Sequence, residues 1–490
     1  MGAALRTLFR QVAIYGSGRL ALQLLSFVTL PILTRIFTPA DYGVIEATTT
    51  FLSVIGIVAT LSLDSAAQRS YFDYDADHER ERRVVLSSAF WPMVAWASLL
   101  TLSVVLLRDE ISDALFGSDR YGTVIGLAVA AFPLGVASTL FLEVMRLRQQ
   151  PIRYVVVSWC GSILSVGLVL YLVAVADHGL QGFYLAGVLS AVPILVATYA
   201  LAPRSVLPTV NWAELRRMLV YALPLIPVAA TSWGLQFADR FFLLAFANLH
   251  DLGIYGLGVR LSNVLLLAVT AFGIAWSPYI LELFNESPDH ERLVRARALT
   301  NVAFVLAFGA VCISIYAREF FLTVTGSAFA EAYQVVGILC LGIFALGLNG
   351  VTMTGISIKR RTRYFAQYAI YTAVLNVALN FALIPPLEGI GAALATSLSF
   401  VALAVLYYRR AQIVDPAPFD LRVVLKIAFL AAVTIAVGTF INLEPLWLSA
   451  LVKVPLVLAF LVAVWATGCI DVGVIRAMRF SRAGTGASAP

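Results

Sequence analysis

Eight of the ionisable side chains inside long apolar runs of this chain stand out: Arg19, Arg35, Glu46, Glu143, Asp239, Arg240, Arg260 and Lys453. An ionisable group in a bilayer costs at least about 2.5 kcal/mol, so those that persist are candidates for function. A site built from Arg19, Arg35, Arg240 and Arg260 would be cationic. Arginine offers several planar donors that grip a phosphate or pyrophosphate through paired hydrogen bonds. Glu46 and Asp239 would sit beside those cations, where taking up H+ or Na+ would change the charge of the site and could couple it to an ion gradient. The helical rise of 1.5 Å per residue puts Arg19 about 10 Å in from one face, and Glu46 and Arg260 about 6 and 12 Å in from the other. Arg35, Glu143 and Lys453 lie near enough to segment ends to snorkel to the interface. For Arg19, Asp239, Arg240 and Arg260, a binding site and internal structural ion pairs both remain open.

The elements that must hold these residues are membrane helices. Runs of about twenty apolar residues suffice to span a bilayer. Fourteen of them are read at 12–37, 42–63, 84–107, 121–145, 153–176, 180–202, 218–247, 252–281, 297–317, 331–357, 364–386, 388–408, 421–441 and 446–468. Basic residues crowd every second connection: Arg80, Arg82 and Arg83; Arg146, Arg148 and Arg153; Arg216 and Arg217; Arg292, Arg295 and Arg297; Lys359, Arg360, Arg361 and Arg363; Arg409 and Arg410. Alternate connections are short or acidic, as with Asp109, Glu110, Asp113 and Asp119. The positive-inside rule then places both termini in the cytoplasm.

The chain repeats itself at an offset near 210 residues. Asp41-Tyr42-Gly43-Val44-Ile45 answers Asp251-Leu252-Gly253-Ile254-Tyr255, and at an offset of 212 Asp77-His78-Glu79-Arg80 recurs as Asp289-His290-Glu291-Arg292. Six crossings per repeat, an even number, give a parallel repeat about an axis along the membrane normal. The fold expected is an all-α polytopic membrane protein: a six-helix bundle over 1–205, a second over 206–415, an additional helix pair over 416–470, and a cytoplasmic tail over 471–490. Segments 1, 2, 7 and 8, related by the repeat, hold six of the eight ionisable residues. Breakers fall at matching depths, Gly16 and Gly18 in segment 1 against Pro224 and Pro227 in segment 7. Matching broken helices in two halves point to a site or hinge; ordinary membrane-helix glycines and prolines are the other explanation.

With 60% hydrophobic and 13% charged residues in 490, the bilayer is the solvent for this chain. Its net charge of +6 comes from loop arginines and argues against nucleic-acid binding. Cys160, Cys312, Cys340 and Cys469 form no CxxC pair and suggest neither a disulfide framework nor a metal site. Asp73, Asp75 and Asp77 could hold a divalent cation in an enzyme, but they read more simply as a solvated loop. His78, His178, His250 and His290 have no catalytic company, and no Gly-rich phosphate loop is present. No catalytic residue, cofactor or resident metal is expected, and the long first apolar run after Arg6 and Arg10 is not a cleavable signal.

Three stretches carry a family resemblance. Leu30-Pro31-Ile32-Leu33-Thr34-Arg35, Thr38-Pro39-Ala40-Asp41-Tyr42-Gly43 and Leu63-Asp64-Ser65-Ala66 with Arg69 resemble the opening helices of bacterial Wzx-type oligosaccharide flippases. Ala222-Leu223-Pro224-Leu225-Ile226-Pro227, Ala238-Asp239-Arg240-Phe241, Gly253-Ile254-Tyr255 and Ala275-Trp276-Ser277-Pro278-Tyr279 resemble helices seven and eight of the same polysaccharide biosynthesis family. Ser62 departs from the pattern, which has Gly before the Leu-Asp pair.

The resemblance implies a member of the multidrug, oligosaccharidyl-lipid and polysaccharide exporter superfamily in the bacterial inner membrane. Such a protein moves an undecaprenyl-pyrophosphate-linked oligosaccharide, a unit of O-antigen, capsule or exopolysaccharide, from the cytoplasmic to the periplasmic leaflet by alternating access. In it Arg19, Arg240 and Arg260 would bind the pyrophosphate and proximal sugar. Membrane lipids, H+ or Na+, a polysaccharide polymerase and a chain-length regulator are the partners implied. A cation-coupled multidrug exporter of the same superfamily would favour more carboxylates than arginines and usually twelve helices. A membrane glycosyltransferase, polymerase or ligase would need a larger external loop or soluble domain than this chain offers.

Overall fold

The computed structural model describes residues 28–75 and 77–467. Twelve of the described helices are long and apolar enough to cross a membrane. One of them, Arg363–Val414, carries two crossings. Pro385 and Pro386 remove two backbone donors, and Glu388 leaves helical geometry at φ 49°, ψ −126°. In a straight helix Phe365 and Tyr407 would stand roughly 60 Å apart. Their rings instead lie 5.7 Å apart, and Arg410 hydrogen-bonds the Tyr364 hydroxyl. The chain therefore doubles back near Glu388, between the expected segments 364–386 and 388–408. Helix 28–36 is the described end of the first expected segment.

These helices begin where local chemistry starts them. Thr38 closes a capping box with Asp41: its hydroxyl accepts from the Asp41 amide at 3.2 Å, and Asp41 Oδ2 accepts from the Thr38 amide at 2.9 Å. Pro39 supplies the first helical residue of Pro39–Thr60. The repeat reproduces the device in Asn248 and Asp251, whose side-chain and backbone groups bond at 2.9 and 2.7 Å at the start of Leu249–Glu286. The two helix starts cross where both copies have glycine. A Cβ on Gly43 would overlap the Leu249 carbonyl, and one on Gly253 would overlap the Pro39 carbonyl. Small residues let membrane helices approach at their backbones, and here they do so reciprocally.

The described residues form two compact units. The first runs to Leu257 and takes in 322–330 and 369–392; the second holds 258–321, 331–368 and the chain from 393 onward. In the first, Ala59, Leu63, Tyr71, Val85, Met93, Leu140 and Met218 share a buried core. Helix Pro39–Thr60 ends there on two left-handed residues, Leu61 at φ 48° and Ser62 at φ 56°, before Leu63–Tyr71 begins. Glycine is the residue suited to that backbone, so the Ser62 departure sits at a turn whose geometry favours glycine and costs about 1 kcal/mol of local strain.

In the second unit, Pro288–Ile315, Tyr333–Thr352 and Leu421–Phe440 interlock through glycines. A Cβ on Gly337 would press on Ile435, and one on Gly438 on Ile315. In each unit large apolar side chains stay exposed on their helices, Leu106 and Val196 in the first, Phe429 and Val462 in the second, which suits a surface wetted by lipid rather than water.

Candidate functional site

Asp239 and Arg240 lie in Ile226–Phe246, Glu46 in Pro39–Thr60, and Tyr255 near the start of Leu249–Glu286. All four are buried. Arg240 lies between two carboxylates: its NH1 is 3.0 Å from Asp239 Oδ1 and its Nε is 3.4 Å from Glu46 Oε2. Its NH1 also donates to the Gln236 carbonyl at 2.8 Å, and the Phe237 ring covers the guanidinium at 4.9 Å. The Tyr255 hydroxyl donates to Asp239 Oδ2.

The repeat explains how Glu46 reaches this position. The residue 210 places after Glu46 is Gly256, and a Cβ there would collide with the Glu46 side chain. The chain matches itself at Gly43 and Gly253 and departs from its own repeat three residues later. The charge fills the space the missing side chain leaves. Among the described residues, one guanidinium here stands against two carboxylates.

Arg35 and Arg260 are exposed, the latter on Leu249–Glu286. Gly16, Gly18 and Arg19 lie outside the described residues, as do Cys469 and the tail over 471–490. Pro224 sits in a 3-10 turn, Leu223–Leu225, that interrupts the seventh segment between Trp212–Ala222 and Ile226–Phe246. Pro227 is in the first turn of the helix that follows. Glu143 pairs with Arg146 at 3.0 Å.

Lys453 does not snorkel. It is 1% exposed, and its Nζ lies 2.6 Å from Glu319 Oε1, which also accepts from the Ser449 hydroxyl at 2.6 Å. Burial pushes the Glu319 carboxyl up, but the hydrogen bonds from Lys453 and Ser449 outweigh it and hold the group below the usual carboxylate range. Its partner lies 134 residues away, so no local spacing announces it.

Two pairings carry no signal in the sequence. Tyr255 belongs to the repeat and to the Gly253-Ile254-Tyr255 stretch, yet nothing there announces its bond to Asp239. Asp64 and Glu143, 79 residues apart, line one cavity of about 460 Å³ in the first unit, together with Gln68, Thr139, Gly135 and Phe132. Helical spacing hints at each half of that lining but not at their meeting.

Comparison with known proteins follows the same lines. Residues 8–284, more than half of the chain, match the family described as polysaccharide biosynthesis protein. The chain is 23% identical over 392 residues to the Lipid III flippase of Escherichia coli (strain K12), covering 76% of this chain and 89% of that protein. It is 22% identical over 329 residues to the succinoglycan biosynthesis transport protein ExoT of Rhizobium meliloti (strain 1021), covering 65% of this chain and 62% of that protein, under two thirds of its length. Among solved structures, the lipid II flippase MurJ in an inward closed conformation superposes with a TM-score of 0.71 at 12% identity, over 91% of this chain and 98% of that one. An inward-facing multidrug resistance MATE family transporter gives 0.67 at 13% identity, over 81% and 97%. The fold is theirs, and the chain belongs to the polysaccharide biosynthesis protein family, as a multi-pass membrane protein.

Proposed function

We propose that the protein is a flippase that carries an undecaprenyl-pyrophosphate-linked oligosaccharide from the cytoplasmic to the periplasmic leaflet of the bacterial inner membrane by alternating access, with both termini cytoplasmic. The observation that carries this reading is that the family match over residues 8–284 contains seven of the eight ionisable residues singled out in the apolar runs, all but Lys453. A charged, hydroxyl-rich headgroup loses several kcal/mol for each polar group left unpaired in hydrocarbon. A polar path with cationic anchors removes that cost without covalent chemistry.

Arg19, Arg35, Arg240 and Arg260 are the proposed anchors for the pyrophosphate. Arg240 is held by Glu46 and Asp239, so neutralising either carboxylate with H+ or Na+ would release its guanidinium toward a phosphate. That exchange is a route for ion coupling in which the ion and the substrate compete for the same partner. The turn at Leu223–Leu225 gives Pro224 and Pro227 a place to bend as Arg240 is released. The second reading, a cation-coupled exporter of small molecules, draws on the MATE-like fold and on the carboxylates lining the first unit's cavity.

The test uses proteoliposomes carrying a fluorescent undecaprenyl-pyrophosphate oligosaccharide, with transfer followed by accessibility to an enzyme on the opposite side. Protein-dependent transfer that weakens in Arg260→Ala supports the reading. No transfer of any lipid-linked glycan, with export of small cations instead, replaces it with the second. Asp239→Asn should abolish dependence on the ion gradient; unchanged dependence removes Asp239 from the coupling role.

A further inference from the structure

The 460 Å³ cavity of the first unit is separate from the Arg240 cluster in its lining, and the flippase reading above assigns it no role. Two helical faces build it. Asp64 and Gln68, four residues apart in Leu63–Tyr71, share one face. Gly135, Thr139 and Glu143, at i, i+4 and i+8 in Phe132–Leu147, share the other. The left-handed pair Leu61 and Ser62 breaks the preceding helix one residue before Leu63–Tyr71 and so sets the direction in which Asp64 and Gln68 run. Apart from Thr60, whose hydroxyl donates to the Gly56 carbonyl, the remaining wall is apolar, with Phe132 and Met93 among it.

We propose that this cavity is the subsite for the uncharged sugar portion of the transported headgroup, an inference that rests on the flippase reading above. The volume and the mix of an apolar wall with a few convergent polar groups are those of a small-molecule site. The chemistry of those groups selects among ligands. Carboxylates accept hydrogen bonds from sugar hydroxyls, the Gln68 amide and Thr139 hydroxyl both donate and accept, and an apolar wall covers the C–H face of a pyranose ring. A pyrophosphate is disfavoured here, because the lining holds two acidic residues, Asp64 and Glu143, the latter paired with Arg146 at 3.0 Å, and no basic one. The lipid-linked headgroup is thereby divided: its anionic part goes to arginines, its neutral rings to this cavity.

Transport in proteoliposomes is measured for two fluorescent lipids, undecaprenyl-pyrophosphate oligosaccharide and undecaprenyl pyrophosphate without sugar, and read as the ratio of the two rates at low substrate. Asp64→Asn and Gln68→Ala should lower that ratio about tenfold each, the worth of one hydrogen bond to a charged or well-placed partner. Gly135→Leu adds a side chain into open space, since its Cβ meets nothing within 4 Å. It should therefore fold, fill the cavity and lower the ratio further. An unchanged ratio in all three variants overturns the subsite. Tetraphenylphosphonium that raises the thermal stability of the wild type but not of Asp64→Asn, with the ratio unmoved, makes the cavity an organic-cation site instead. A wild type that moves neither lipid overturns the flippase reading and takes the subsite with it.

Discussion

Glu79 with Arg83 and Glu291 with Arg295 are copies of one another at an offset of 212 residues, each an i, i+4 pair at the start of a long helix. Their separations are alike, 3.3 Å in the first pair and 3.2 Å in the second, although only the first is aligned as a hydrogen bond. Their surroundings are not. Glu79 and Arg83 are 40% and 32% exposed, and the third member, Arg148, joins Glu79 at 2.6 Å from a partly exposed position. Glu291 and Arg295 are wholly buried, and the third member is the buried carboxylate of Asp415, 2.7 Å from Arg295 NH2 and 2.9 Å from Arg292 NH2. Gly355 makes this possible, because a side chain there would collide with the Arg295 guanidinium. A duplicated local sequence thus yields a solvated pair in one unit and a buried clamp in the other. Burial, not the pair itself, sets what each is worth.

The largest effect should come from opening the clamp. Arg295→Ala leaves Asp415 and Glu291 buried without their main partner and should cost about 3–5 kcal/mol in unfolding experiments on purified protein. Arg83→Ala should cost no more than about 1 kcal/mol. Equal losses would dissolve the comparison.

Gly355→Ala tests the space rather than the charge. The added Cβ would meet Arg295 and lie 3.2 Å from the Asp415 Cβ, and overpacking of this kind costs about 1–3 kcal/mol. A neutral result would mean that Arg295 can move aside without loss.

Acid sharpens the contrast further. Burial pushes the Asp415 carboxyl up, but the hydrogen bonds and charges of Arg292 and Arg295 outweigh it and hold the group below the usual carboxylate range. A carboxyl with a lowered folded-state pKa contributes stability that is fully present above its unfolded value, about 3.9, and is lost as pH falls through the folded one. Thermal stability should therefore drop below about pH 4, and Asp415→Asn should flatten that part of the profile while lowering its plateau. A profile unchanged by the substitution would show that Asp415 carries no pH-dependent stability. The smallest effect belongs to Arg148→Ala, within about 1 kcal/mol, because its pair with Glu79 is partly solvated.

The fold was more legible in the sequence than the site. Apolar runs of about twenty residues announce membrane helices, and the hairpin inside Arg363–Val414 falls at the break between the segments read at 364–386 and 388–408. The capping box at Thr38 and Asp41 is local chemistry and could be read locally. Arg295 shows the opposite case: in the sequence it is one more basic residue of a positively charged connection, whereas in the structure it is wholly buried. Lys453 looked close enough to a segment end to reach water, yet Glu319 holds it inside.

The amino-acid sequence alone determined that this is a polytopic helical membrane protein built on an internal repeat, because hydrophobic run length and the recurrence of residues along one chain are properties of the chain itself. Only the tertiary structure decided that Arg240 meets Glu46 from 194 residues away, that Asp415 closes on Arg295, and that Asp64 and Glu143 face one cavity. The choice of partner depends on how helices rotate and how closely they cross. That is settled by glycines such as Gly43, Gly253, Gly256 and Gly355, whose missing side chains carry no pairing information until the backbones are in contact.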